Sequence, residues 1–198
     1  MRFIGITGGV GCGKSKVLEI LKEQLKDKCI IVEADKLAAS LMMPGHKCFD
    51  DVVSLPWPSS IIGDDGLIDR SLMAKFMYAD HKMRNAVNEI VHPAVKLEIQ
   101  HQVDEAYKTH NIEYFFYEAA LLIECGYDKL CDELWYIYAD EAVRRDRLSC
   151  NRGYSQDKIS SIMASQLPED VFKDRCSVVI DNSGDAEVTR GQILSILA

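Results

Sequence analysis

The residues best suited to do chemistry are Gly8-Gly9-Val10-Gly11-Cys12-Gly13-Lys14-Ser15. They fit G-x-x-x-x-G-K-[ST], the phosphate-binding P-loop. Glycines let the backbone turn its N–H groups onto phosphate oxygens. Lys14 brings a point charge to the β/γ phosphates, and the Ser15 hydroxyl can ligate magnesium at a helix N-terminus that faces the anion. Cys12 and Lys16 complete the stretch; Cys12 either fills a variable loop position or has its pKa lowered by the cations around it. The motif implies nucleotide binding. It does not say which nucleotide, or whether a phosphoryl group is transferred or hydrolysed.

Such a loop works between a strand and a helix. Arg2-Phe3-Ile4-Gly5-Ile6-Thr7 predicts a short buried strand before it, and Val17, Leu18, Ile20, Leu21 and Leu25 recur at helical spacing after it. A second buried strand is expected at Cys29-Ile30-Ile31-Val32, ending in Glu33-Ala34-Asp35. A carboxylate at the end of a parallel strand faces the crevice where doubly wound sheets bind ligands. Asp35 is therefore a base or orienter for an acceptor hydroxyl, an outer-shell magnesium partner, or the N-cap of a helix predicted over 36–42. Position alone does not choose between these.

From Pro44 to about Lys108 the periodicity is helical, broken at Leu55-Pro56-Trp57-Pro58 and at Gly63-Asp64-Asp65-Gly66, with Asp69 as the expected cap of the next helix. The stretch Arg84–Val91 predicts an amphipathic helix that stops at His92, because a residue before proline is driven out of the α region. Pro93 would open a further helix. Strands are expected at 112–117, 132–138 and 177–181. Glu118 follows the first of these in a Walker-B-like arrangement. A helix beginning at Asp140 or Glu141 carries Arg144, Arg145 and Arg147, with Arg152 just beyond, and a second helix over 156–166 is capped by Ser155. Four arginines in nine residues read either as a solvated face balanced by acids or as a lid whose guanidinium forks close on phosphates. The last helix should bury Val188, Ile193, Ile196 and Leu197.

The chain has 198 residues, is 47% hydrophobic and carries a net charge of −8. That balance argues against a general nucleic-acid surface, so a polyphosphate must be held by a local positive pocket. Seven cysteines, an odd number with no C-x-x-C pair, read as reduced thiols and not as a zinc site. No signal peptide or membrane-length apolar run is visible. The expectation is a soluble cytoplasmic protein without membrane or nucleic-acid partners, most simply a monomer.

Taken in order, these segments resemble the dephospho-coenzyme A kinase family over nearly the whole chain. The resemblance rests on Gly5–Ser15, Glu33-Ala34-Asp35-Lys36-Leu37-Ala38, Val91-His92-Pro93, Leu121-Leu122-Ile123-Glu124, the stretch from Arg147 to Gln166, and Val179-Ile180-Asp181-Asn182-Ser183-Gly184. It implies transfer of the γ-phosphoryl group of ATP to the 3′-hydroxyl of dephospho-CoA, with Mg2+. It also implies an α/β fold: a P-loop NTPase-type parallel sheet flanked by helices (about 1–43, 109–140 and 177–198), a helical acceptor-binding insert (about 44–108) and a helical lid (about 141–176). By the resemblance Asp35 falls on the catalytic base, Arg147 on the ATP-binding lid, and Thr7, His92 and Leu121 on the acceptor side. The chain departs from the usual pattern at Glu33, Lys16 and Ala120, and its Arg147 and Arg152 are five apart where four is usual. The rival readings are another small-molecule or nucleoside monophosphate kinase, a GTPase-like switch, for which no N-K-x-D motif is present, and an inactive nucleotide-binding module.

Overall fold

The computed structural model describes all 198 residues. Contacts divide them into two compact units, residues 1–32 with 106–198, and residues 33–105.

The first unit is built on a five-stranded sheet: β1 (Arg2–Thr7), β2 (Cys29–Glu33), β3 (Tyr114–Glu118), β4 (Glu133–Tyr138) and β5 (Val178–Asp181), in the order β2-β3-β1-β4-β5. β1 pairs in parallel with β3 (Ile6 opposite Glu118) and with β4 (Thr7 opposite Tyr136), and β4 pairs in parallel with β5. Central strands covered on both faces read as continuous apolar runs, and β1 and β4 were predictable on that ground. β2 differs from the expected buried strand. It is an edge strand, and each of its residues is only half-buried.

Helix α1 (Lys14–Leu25) and helix α9 (Ala186–Leu197) cover one face of the sheet. Val17, Leu18, Ile20 and Leu21 of α1 and Ile193 of α9 share a core with Ile4, Ile6, Phe116, Trp135, Ile137 and Ile180. The expected face of α9 is partly corrected: Val188 is exposed, and Thr189 is buried in its place. Between β4 and β5 run α6 (Glu141–Arg152), α7 (Gln156–Ala164) and α8 (Glu169–Arg175). The Ser155 hydroxyl accepts from the Lys158 N–H, as its N-cap position requires. The seven-residue α8 was not foreseen; its Phe172 stacks on Tyr136 of β4 at 4.9 Å.

The second unit holds α2 (Ala34–Leu41), α3 (Lys47–Val53), α4 (Arg70–Ala79) and most of α5 (His81–Lys108). The Gly63–Gly66 turn reverses the chain so that Ile62 bridges Ile68. Asp69 caps α4 by accepting from the Leu72 N–H, as expected. Of the readings left open for Asp35, the N-cap is excluded: α2 starts at Ala34, two residues before the expected start, and Asp35 lies in its first turn. The helix does not break at His92-Pro93 as expected: α5 is one 28-residue helix with Pro93 inside it. The buried residues Met83, Val87, Val91, Val95, Ile99 and Val103 fall every four positions through the proline. Burying that stripe along one rod outweighs the local preference to stop.

Candidate active site

The loop from Gly8 to Gly13 joins β1 to α1 between the strands β3 and β4 that flank β1. Its geometry follows from where its carbonyls go. The Lys14 ammonium donates to Gly8 O at 2.9 Å. Arg144 Nε donates to Val10 O at 2.9 Å. Asn182 Nδ2 donates to Cys12 O at 2.8 Å. In a trans peptide the C=O and the next N–H point to opposite sides, and the chain has no cis bond. Pinning alternate carbonyls therefore turns the N–H groups of Gly9, Gly11 and Gly13 the other way. None of the three donates to a protein acceptor. Successive N–H groups presented to one side form an anion-binding concavity.

α1 extends that concavity. Its N-cap, Gly13, has φ +87° and offers no side-chain cap, and no acidic residue stands in its first turn. Its first N–H groups and the positive end of its dipole are left for an anion. A glycine is required at position 13 twice over. The positive φ disfavours any Cβ, and a Cβ there would lie 2.2 Å from Asn182 Nδ2. At Gly9 the reason is close approach alone, since a Cβ would meet Arg144 Nη2 at 2.4 Å.

Arg144 and Arg147, three apart on α6, present to the loop together. Arg144 Nη2 also donates to Gln166 Oε1 at 2.9 Å, and the Val10 N–H donates to the same oxygen at 3.0 Å. Arg147 Nη2 donates to Asn182 O at 2.8 Å, and its Nη1 reaches Gly11 O and Cys12 O at 3.5 and 3.4 Å. The other two arginines turn away: Arg145 holds Glu141 and Ser160, and Arg152 is exposed. Spacing alone had not sorted the four.

The charge balance at the loop is local. Lys14 lies 3.8 Å from Glu118, at the end of β3, and both side chains are largely buried. With Arg144 and Arg147 this places three cations against one carboxylate in a chain whose net charge is −8. A reactive thiol needs access, whereas the Cys12 side chain is buried beneath the loop. Burial pushes its pKa up, outweighing the nearby Lys14 and Arg144 charges that pull it down.

The remaining expected residues are placed as follows. Ser15 is exposed at the start of α1, and Lys16 pairs with Glu19 at 3.2 Å. Thr7 is fully buried just before Gly8, and its hydroxyl has no hydrogen-bond partner. Leu121 is exposed in the turn after β3. Asp35, exposed in the first turn of α2, and His92, half-buried within α5, belong to the second unit. Sequence reasoning read Arg144 only as one of four lid arginines and gave Gln166, Asn182 and Thr189 no task at the loop. The Asp-Asn-Ser-Gly turn was visible; its grip on Cys12 was not.

Comparison with known proteins decides the family. The dephospho-CoA kinase family model matches residues 2–187. The chain belongs to the dephospho-CoA kinase family. It is 34% identical to the dephospho-CoA kinase of Carboxydothermus hydrogenoformans, covering 98% of this chain and 92% of that one. It is 33% identical to that of Geobacter sulfurreducens over 100% of this chain and 98% of the relative. Among solved structures it is similar in fold to a Thermus thermophilus protein (TM-score 0.80, 24% identity, 99% and 96% of the two chains) and to a dephospho-CoA kinase from Campylobacter jejuni (TM-score 0.73, 20% identity, 98% and 94%). The fold is that of the P-loop NTPases, as expected. No helix is long and apolar enough to cross a membrane.

Proposed function

We infer that this chain phosphorylates dephospho-CoA with ATP, transferring the γ-phosphoryl group to the 3′-hydroxyl of the acceptor's ribose to give CoA and ADP. The observation that carries this reading is a family match along nearly the whole chain, joined to a phosphate loop whose Gly8, Val10 and Cys12 carbonyls are held by Lys14, Arg144 and Asn182.

Phosphoryl transfer asks little covalent chemistry of a protein; catalysis is positioning and charge stabilisation. The N–H groups of Gly9, Gly11 and Gly13 and the first turn of α1 cradle the β/γ phosphates. Lys14 moves from Gly8 O to the phosphates, where its charge counts for more. Arg147 has five N–H donors, and those not committed to Asn182 O and the loop carbonyls neutralise charge as the phosphoryl group moves. Asp35 acts as the base that accepts or orients the proton of the 3′-hydroxyl, with Thr7, His92 and Leu121 on the acceptor side. Asp35 as base and the acceptor-side roles rest on the family resemblance.

The chain has no group of three or more His, Cys, Asp or Glu side chains able to cage a metal alone. Magnesium does not need one: it keeps several waters and is held by one or two protein oxygens plus substrate phosphates. The exposed Ser15 hydroxyl at the head of α1 fits that donor set. Bound there, Mg2+ would supply positive charge that neutralises the substrate phosphates. All seven cysteines are free, which supports the cytoplasm as the site of action.

The deciding experiment is an ADP-production assay with dephospho-CoA, AMP, CMP and shikimate offered as acceptors in parallel. Turnover should require dephospho-CoA. No ADP formed with dephospho-CoA, or preferential turnover with another acceptor, would remove this reading.

A further inference from the structure

Asn182 is 3% exposed and Thr189 only 1%, yet both carry polar side chains. The large majority of such groups in a protein interior have their hydrogen bonds made. All four polar groups of Asn182 are engaged. Its backbone N–H donates to Tyr138 O at 2.8 Å, and its carbonyl accepts from Arg147. Its Nδ2 donates to Cys12 O, and its Oδ1 accepts from the Thr189 hydroxyl at 3.0 Å.

The orientation of the carboxamide is fixed by chemistry at both ends. A carbonyl such as that of Cys12 accepts only, so the amide NH2 must face it. The amide oxygen must then face Thr189, whose hydroxyl proton goes to it. Two other carbonyls, Asp181 O at 3.4 Å and Asp185 O at 3.5 Å, compete for that proton at longer range. Without the hydroxyl the amide oxygen would be buried and unpaired, and the carboxamide would lose what holds it against the loop.

We propose that Thr189, on α9, is a positioning residue for nucleotide binding. It fixes the Asn182 carboxamide, which holds the Cys12 carbonyl outward and so aims the Gly13 N–H at the phosphates. The relay also explains why the first turn of α9 carries a buried threonine. One turn later the same helix seats Ile193 in the core behind the sheet. α9 is anchored to the sheet and reaches the loop through one hydroxyl. This inference rests on the phosphate loop being the ATP site.

The test separates hydroxyl from methyl. Thr189→Val keeps the branched shape and removes the donor; Thr189→Ser keeps the donor and removes the buried methyl. Calorimetric titration with ADP should show about five-fold weaker binding in T189V, the scale of one ordinary hydrogen bond. KM for ATP should rise by a similar factor, with KM for dephospho-CoA unchanged. T189S should bind ADP as the wild type does while melting at a lower temperature. Wild-type ADP affinity in T189V, or equal losses of affinity in both variants, would overturn the relay. If T189V does not fold, Thr189→Ala, a residue favoured in helices, serves instead, with the same loss expected and the same result decisive. A wild-type protein that binds no ADP would overturn the nucleotide reading and the relay together.

Discussion

Lys26 is the one non-glycine residue with positive φ. It ends α1 at φ 49° and ψ −118°, where its own N–H reaches back to Lys22 O. A side chain in that region is strained by about 1–3 kcal/mol, whereas glycine adopts it freely. Lys26→Gly should therefore stabilise the protein by about 1 kcal/mol, after allowing for the greater freedom of glycine in the unfolded chain. A urea midpoint that fails to rise would show that the Lys26 backbone is not under strain. Such single-residue facts divide sharply in how far they can be read beforehand. Lys14 and the loop glycines are legible because their spacing is itself the chemistry. The partners that hold the loop are not: Gln166 and Asn182 lie 156 and 170 positions from the backbone groups they bind. No local rule links them. Only the folded sheet brings the ends of β1 and β5, with β4 between them, to the same edge.

The long helix α5 shows two elementary rules in competition. Proline removes an N–H donor and clashes with the carbonyl four residues back, which here is Glu89. The sequence therefore reads as two helices. The fourfold repeat of buried apolar residues on both sides of Pro93 points to one, and one is found. Propensity is a weak prior that burial of a continuous face overrides. Strand ends were easier to place, because buried parallel strands announce themselves as apolar runs; the short α8 has no such period to display. The proline still has a cost. Pro93→Ala should restore the missing hydrogen bond and raise stability by about 1–2 kcal/mol, somewhat less than the full helix-interior penalty, because proline also restricts the unfolded chain. Pro93 is exposed, so no packing is lost with it. Thermal melts in which P93A matches or falls below the wild type would mean that the helix has already absorbed the proline.

Across the molecule, the first compact unit carries the whole proposed donor side together with Thr7 and Leu121 of the acceptor side, and the second carries the proposed base. Residues 1–32 and 106–198 hold the phosphate loop, Lys14, Glu118, Arg144, Arg147 and the Gln166 and Asn182 braces; residues 33–105 hold Asp35 and His92. In a chain of net charge −8, the proposed polyphosphate site gathers Lys14, Arg144 and Arg147 at one loop. The division predicts two kinetic classes. Gln166→Leu removes the acceptor shared by the Val10 N–H and Arg144, leaving two donors short of a partner. It should raise KM for ATP and weaken ADP binding by about ten-fold, with KM for dephospho-CoA unchanged. Asp35→Asn should do the reverse. Its ADP affinity should stay at the wild-type value while kcat falls by about 10²–10⁴-fold, the usual contribution of a positioned base. Measuring both variants with both substrates separates the donor half from the chemistry. Near-wild-type turnover in D35N would remove Asp35 as the base, and an ADP affinity that moved as much in D35N as in Q166L would show that the two units do not divide the work in this way.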